Sequence, residues 1–224
     1  MNPFGPLPDP QHLFDHDEAR QAFADILDAH ASEDEIEAFL VALSARGETM
    51  VEIAAAAQAM RERLIPIDAP KGAIDVCGTG GDGHHTLNVS TAVSIVVAAC
   101  EVPVAKHGNR AASSKAGAAD TLEALGLDMQ RAGAMAEQTL KDLGICFLFA
   151  ANHHPAMKRI QPIRQKIGQR TIFNLMGPLA NPARVTRQLI GIARPAYVPV
   201  YAEALHISAP NIRASYPATK GWTN

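Results

Sequence analysis

The chain has 224 residues, 47% of them hydrophobic and 19% charged, enough to bury a sizeable core and far from the composition of a disordered chain. Its net charge of −3 supplies no basic field for nucleic acid or an anionic membrane surface. Cys77, Cys100 and Cys146 are odd in number and form no Cys-x-x-Cys, which argues against a disulfide framework or a thiolate zinc site.

In chain order, the start Met1-Asn2-Pro3-Phe4-Gly5-Pro6 lacks the basic and apolar stretches of a signal peptide. The apolar run from Ala92 to Cys100 is too short to cross a bilayer, so the expected location is the cytoplasm. The first 70 residues read as a helical domain. Ala22, Phe23, Ile26 and Leu27 share one face of a helix over Asp17 to His30. Ser32 with Glu35 forms a capping box for a second helix, whose stripe of Ile36, Phe39, Leu40 and Leu43 stops at Gly47. Thr49 with Glu52 repeats the box and opens an alanine-rich helix to about Leu64, before Pro66.

From Lys71 the pattern changes. Short apolar runs at Ile74 to Cys77, Val102 to Ala105, Ile145 to Phe149 and Gln188 to Ala193 lack helical period. They alternate with helical stretches at Ser90 to Ala99, Gly117 to Leu125, Ala134 to Leu143 and Pro155 to Ile167. Such alternation predicts an α/β domain over residues 71–205 with a parallel sheet, its ligands at the carboxyl ends of the strands. Residues 206–224 have no period and no acidic residue, and are read as a tail apart from the domain.

Two loops carry the chemistry. Asp75-Val76-Cys77-Gly78-Thr79-Gly80-Gly81-Asp82-Gly83 is a strand entering a glycine-dense turn, and Asn88-Val89-Ser90-Thr91 follows where a helix begins. Glycines bare the backbone amides and the helix start adds positive potential, together a cradle for phosphate. Gly78, Gly80 and Gly83 also fit Gly-x-Gly-x-x-Gly. The helix starts too late for a dinucleotide fold, however, and Glu101 precedes the second strand instead of ending it. The second loop, Lys106-His107-Gly108-Asn109-Arg110-Ala111-Ala112-Ser113-Ser114-Lys115, is placed directly after the second predicted strand and offers cations and hydroxyls to phosphate oxygens. A solvated basic loop before a capped helix is the plainer alternative. His84-His85 and His153-His154 are adjacent pairs that diverge, which argues against zinc, and Met129, Met135, Met157 and Met176 read as core fillers.

Taken with Ala119-Asp120-Thr121-Leu122-Glu123-Ala124-Leu125-Gly126, with Asn152-His153-His154-Pro155-Ala156-Met157-Lys158 and with Arg170-Thr171-Ile172-Phe173-Asn174-Leu175-Met176-Gly177-Pro178-Leu179, these motifs closely resemble the anthranilate phosphoribosyltransferase family, from about residue 12 to 205. The resemblance implies a helical amino-terminal domain on a parallel-sheet α/β domain of the nucleoside phosphorylase/phosphoribosyltransferase type, the sheet incomplete here. The helical segment 154–182 would pack on the amino-terminal domain. The implied activity is transfer of phosphoribose from phosphoribosyl pyrophosphate to the amine of anthranilate, a step of tryptophan biosynthesis, by a homodimer joined through its amino-terminal helices.

The same resemblance implies the site residues. Gly78, Gly81, Asp82, Thr86, Asn88, Val89, Ser90 and Thr91 would hold the sugar and pyrophosphate, with Ser90 on Mg²⁺. Lys106, His107, Gly108, Asn109, Arg110, Ala111, Ala112, Ser113 and Ser114 would close over the phosphates, with Ala118 at the edge. Lys106 and Arg110 would be the catalytic cations. Gly78, His107, Asn109, His154, Pro155 and Arg164 would meet anthranilate, although Arg164 sits among Lys158, Arg159, Lys166 and Arg170 and by itself reads as a surface cation. The family's chain is longer, and its further part carries an acidic pair for a second magnesium. The expectation is that residues 206–224 replace that part, leaving an open sheet edge and exposed apolar surface. Three alternatives stand beside this reading: an inactive fragment, a pyrimidine nucleoside phosphorylase of similar architecture, and a non-catalytic relative that binds nucleic acid.

Overall fold

The computed structural model describes residues 2–80, 87–111 and 116–208. Helix α1 (His16–Leu27) starts at a capping box between Asp15 and Glu18, and it ends three residues before the predicted His30 because Ala29 takes a φ of 70°. Helices α2 (Glu33–Arg46) and α3 (Met50–Arg61) begin at the Ser32/Glu35 and Thr49/Glu52 boxes. Gly47, with a φ of 95°, stops α2 where the sequence places the stop.

Strand β1 (Ile74–Gly78) leads to α4 (Val89–Ala99) and then to β2 (Val104–Gly108). The predicted second strand covered residues 102–105. The observed one begins two residues later and runs three further, so Lys106, His107 and Gly108 are strand residues and not a loop after the strand. After β2 come α5 (Ala118–Ala124), α6 (Met129–Ala134), capped by Asp128, and α7 (Ala136–Leu143), ended by left-handed Gly144. Strand β3 (Ile145–Phe149) runs into the short α8 (Ala150–His153), then α9 (Met157–Ile167) and α10 (Phe173–Met176). Strand β4 (Arg187–Gly191) is followed by α11 (Val198–Ser208), which carries helix through His206–Ser208, where the sequence reading begins its tail; residues 209–224 lie outside the described residues.

Among the described residues the four strands form one parallel sheet in the order β3-β2-β1-β4. The chain steps outward from β1 to β3 and returns to the far side of β1, so β1 and β4 flank a topological switch point. In open parallel sheets ligands bind at the carboxyl ends there. Gly78 and Gly191 are register partners, and a Cβ on Gly78 would meet the Gly191 carbonyl oxygen at 3.2 Å.

The core is centred on α3. Ala54, Ala55, Ala56, Ala57 and Ala59 are all buried, and side chains this small let α1 and α11 approach α3 closely. Around Phe39 gather Phe4, Phe14 and Phe23, and Phe23 in turn meets Phe173 of α10 edge-on. Ile160, Ile163, Ile172, Phe173, Leu175 and Met176 belong to the same buried cluster as the amino-terminal helices. Tyr201 of α11 is buried against this cluster and donates to the Leu175 carbonyl at 2.8 Å. Met129 and Met176 are core fillers as expected, whereas Met135, between α6 and α7, is 42% exposed.

Among the described residues β4 pairs only with β1, and Leu189 on β4 and Ile95 and Val96 on α4 are exposed. No helix of the described residues is long and apolar enough to cross a membrane.

Candidate active site

A cleft of about 1480 Å³ opens at the carboxyl ends of β1, β2 and β4, between the first turn of α4 and helices α8 to α10. It gathers Gly78, Asn88, Val89, Ser90, Lys106, His107, Gly108, Asn109, Arg110, Ala111, Ala118, His154, Pro155 and Arg164, all predicted from sequence. Thr91 is not on its wall: it is buried and its hydroxyl donates to Asn88 Oδ1 at 2.7 Å, so it builds the cap of α4. Gly81, Asp82, Thr86, Ala112, Ser113 and Ser114 lie outside the described residues.

Asn88 caps α4, with Oδ1 accepting from the Thr91 amide. This fixes the helix start, where the positive end of the helix dipole favours an anion. Lys106 reaches the same place from below. Although Lys106 is only 2% exposed, its ammonium donates to the Val76 carbonyl of β1 at 2.8 Å and lies 3.4 Å from Ser90 Oγ. Burial lowers its pKa. Among the described residues no carboxylate comes within ion-pairing distance of it. The Asp75 carboxylate acts on it from farther off, and a buried ammonium without a direct ion pair gains from a ligand that supplies further countercharge.

Asp75, on β1, is fully buried and accepts from the His107 backbone N–H at 3.0 Å, tying β1 to β2 at the base of the cleft. Burial pushes its carboxyl upward. Beyond it, His107 and His154 meet through Nε2 atoms 3.2 Å apart, a contact in which one ring donates and the other accepts. Both are held below the usual histidine range, by burial first; His107 lies well below it and His154 is pushed down to about 4. They form a neutral wall at pH 7. His153 turns the other way, its Nδ1 3.0 Å from the Ile65 carbonyl oxygen, so the adjacent pair diverges as the sequence suggests.

The depressed His154 pKa has a consequence for folding. As pH falls below the ordinary 6.5, the unfolded chain takes up a proton that the folded chain refuses until about pH 4. Stability is therefore lost across that window, by about 3 kcal/mol from this ring, and above it His154 contributes no slope. Asp75, with its raised pKa, works in the opposite sense. Melting curves from pH 7.5 to 4.5 should fall less steeply for His154→Asn than for the natural chain; identical slopes would show that the pair does not resist protonation.

Arg164 of α9 stands at the other side of the cleft, half-buried, its guanidinium carbon 6.0 Å from the Phe173 ring centre. Burial lowers its pKa, and among the described residues it too has no carboxylate partner. It is no surface cation. Arg110 differs: Glu123 grips it through two hydrogen bonds of 2.6 and 3.0 Å and Asp120 adds one of 3.1 Å. Its charge is thus already answered by two carboxylates at the rim. Asp120 also accepts from the amides of Ala111 and Gly117 at 2.8 Å each, and Gly117 is required where a Cβ would lie 2.5 Å from the Asn109 carbonyl oxygen.

The β4 side of the cleft was missed in the sequence. The Thr79 amide donates to the Gly191 carbonyl at 3.0 Å and its Oγ1 accepts from Ala193 at 3.2 Å, which seats the turn leaving β1. Gly191, Ile192 and Ala193 line the cleft but carry no polar side chain that would mark them. Asp75 had a signal, a lone carboxylate within the apolar run from Ala73 to Cys77.

A helical bundle joined to a parallel α/β domain, with a cleft at the switch point, is the architecture of a two-domain glycosyl transferase family. The chain belongs to that glycosyl transferase family: residues 11–64 match its helical bundle domain and residues 70–210 its a/b domain. It is 81% identical over 206 residues to the anthranilate phosphoribosyltransferase of Sphingopyxis alaskensis, covering 92% of this chain and 62% of that one. The anthranilate phosphoribosyltransferase of Thermus thermophilus superposes with a TM-score of 0.82 at 42% identity, over 93% of this chain and 64% of the other. The Saccharomyces cerevisiae enzyme in complex with PRPP and Mg gives a TM-score of 0.83 at 28% identity, over 94% and 62%. The chain thus spans about three fifths of the length of the relatives it matches.

Proposed function

We propose that the cleft transfers phosphoribose from phosphoribosyl pyrophosphate to the amine of anthranilate, releasing pyrophosphate. The observation that carries this reading is a pair of cations in one cleft that form no ion pair among the described residues, Lys106 beside the start of α4 and Arg164 over Phe173. One pole suits a pyrophosphate and the other a carboxylate, which a guanidinium grips by two parallel bonds. The high identity to a protein named for this activity supports the pairing.

Displacing pyrophosphate from a sugar carbon requires charge stabilisation on the leaving group more than a strong base. The Lys106 ammonium and the positive end of the α4 dipole supply it from fixed positions. An aromatic amine is already nucleophilic, so Arg164 contributes by holding the carboxylate and aiming the amine. The neutral His107–His154 wall leaves an uncharged surface for the aromatic ring, and the proton the amine loses passes to the departing pyrophosphate or to water.

Among the described residues, Mg²⁺ fits this site only together with a phosphorylated ligand. The Ser90 hydroxyl is an oxygen donor on the cleft wall, but the described residues contain no cluster of three acidic or imidazole ligands. Ser90 and pyrophosphate oxygens would hold the ion jointly. When bound, it supplies further neutralisation of the pyrophosphate. We assign dimer contacts to the outer faces of α2 and α3, where Val41 and Met50 are exposed.

The test is direct. Anthranilate fluorescence should disappear with time on mixing the chain with phosphoribosyl pyrophosphate and excess Mg²⁺. No loss beside an active full-length relative would remove the catalytic reading and leave the inactive-fragment alternative. Gel shifts on single-stranded DNA should be absent, given the net charge of −3.

A further inference from the structure

We propose that Arg170 is a positioning residue that sets the Thr79–Gly80 turn for the pyrophosphate end of the ligand; this deepens the phosphoribosyl reading above and rests on it. Arg170 lies between α9 and α10, and its Nη1 donates to the Gly80 carbonyl at 2.8 Å, across 90 residues of sequence.

The two peptides of that turn are secured differently. Thr79 is pinned to β4 through both its amide and its hydroxyl. Gly80 is exposed, takes a φ of +66°, and has open space where a Cβ would stand. Among the described residues its carbonyl is held by Arg170 alone. Glycine has the most backbone freedom to lose on ordering, so a charge-assisted bond at this point removes conformations that a ligand would otherwise have to exclude.

Arg170 is itself built in. The Ser44 hydroxyl of α2 donates to the Arg170 carbonyl at 3.0 Å. Glu48, buried between α2 and α3, accepts from the Tyr197 hydroxyl at 3.0 Å, and its carboxylate attracts the Arg170 guanidinium while Arg194 repels it. The helical bundle therefore holds the Arg170 backbone through Ser44, the Glu48 carboxylate attracts its guanidinium from farther off, and the guanidinium ends at the Gly80 carbonyl. Lysine, a point charge on a flexible stem, does not reproduce that fork.

Arg170→Gln and Arg170→Lys in this chain test the assignment. In hydrogen exchange of the ligand-free protein, amides of Gly78 to Gly80 should exchange about tenfold faster in Arg170→Gln, with the core of α3 unchanged. By calorimetry, the affinity for phosphoribosyl pyrophosphate should fall about tenfold in Arg170→Gln and less in Arg170→Lys, while that for anthranilate stays within about twofold. Equal exchange at Gly78–Gly80 in natural and variant chains would overturn the proposal. So would a matched loss of affinity for both ligands with a lowered melting midpoint, which would mark Arg170 as a general brace. If the natural chain binds no phosphoribosyl pyrophosphate, the substrate reading fails by itself and the exchange comparison still decides the role of Arg170.

Discussion

On the proposed phosphoribosyl transfer, replacing Lys106 by methionine should lower turnover by about a hundredfold or more, the loss typical of removing one preorganised charge from a developing anion. Methionine keeps the buried stem and deletes only the ammonium. The Lys106 ammonium is buried at the start of α4, donates to the Val76 carbonyl, and lacks a carboxylate partner among the described residues. The variant should therefore melt no lower than the natural chain, because the group removed is a desolvated cation. Activity lost together with stability would instead make Lys106 a structural strut between β1 and β2. Arg110→Ala provides the contrast. Glu123 and Asp120 already neutralise that guanidinium, so its removal should cost less than about tenfold in rate.

The largest stability effect is expected at Phe39→Ala. Phe39 is wholly buried, stacks on Phe14 with ring centres 6.0 Å apart, and receives Phe4 and Phe23 edge-on at 6.5 and 6.1 Å. Deleting it removes the hub of four rings and leaves a cavity, at a cost of about 3–5 kcal/mol. Domains of this size are stable by only about 5–15 kcal/mol, so much of the margin would go. The rings also continue through Phe23 to Phe173, which lies under Arg164. Urea unfolding should show a lowered midpoint at unchanged slope. A loss below about 1 kcal/mol would mean the cluster repacks and does not fix the bundle against the α/β domain.

The helical bundle was legible because its signals are local. Each of its second and third helices starts at a Ser or Thr with a Glu three residues on, and those boxes form as read. The carboxyl end of β2 was not legible. Lys106 and His107 look like loop residues by polarity, but parallel strands point alternate side chains to opposite faces. The Lys106 side chain runs toward α4 while His107 faces His154. Their burial depends on long-range partners that no local pattern records. The same holds for Arg164 and Arg170, two cations in one run of cations. Only the fold distinguishes the guanidinium over Phe173 from the one on the Gly80 carbonyl. The β4 wall escaped for a different reason: Gly191, Ile192 and Ala193 contribute backbone and shape, which sequence does not display.

We propose that one cleft has two separate poles, Lys106 for pyrophosphate and Arg164 for the carboxylate. Calorimetric titration of the natural chain, Lys106→Met and Arg164→Gln with each ligand in turn tests it most directly. A crossed pattern is expected: Lys106→Met loses affinity for phosphoribosyl pyrophosphate and keeps that for anthranilate, and Arg164→Gln does the reverse. Equal losses for both ligands in both variants would contradict it.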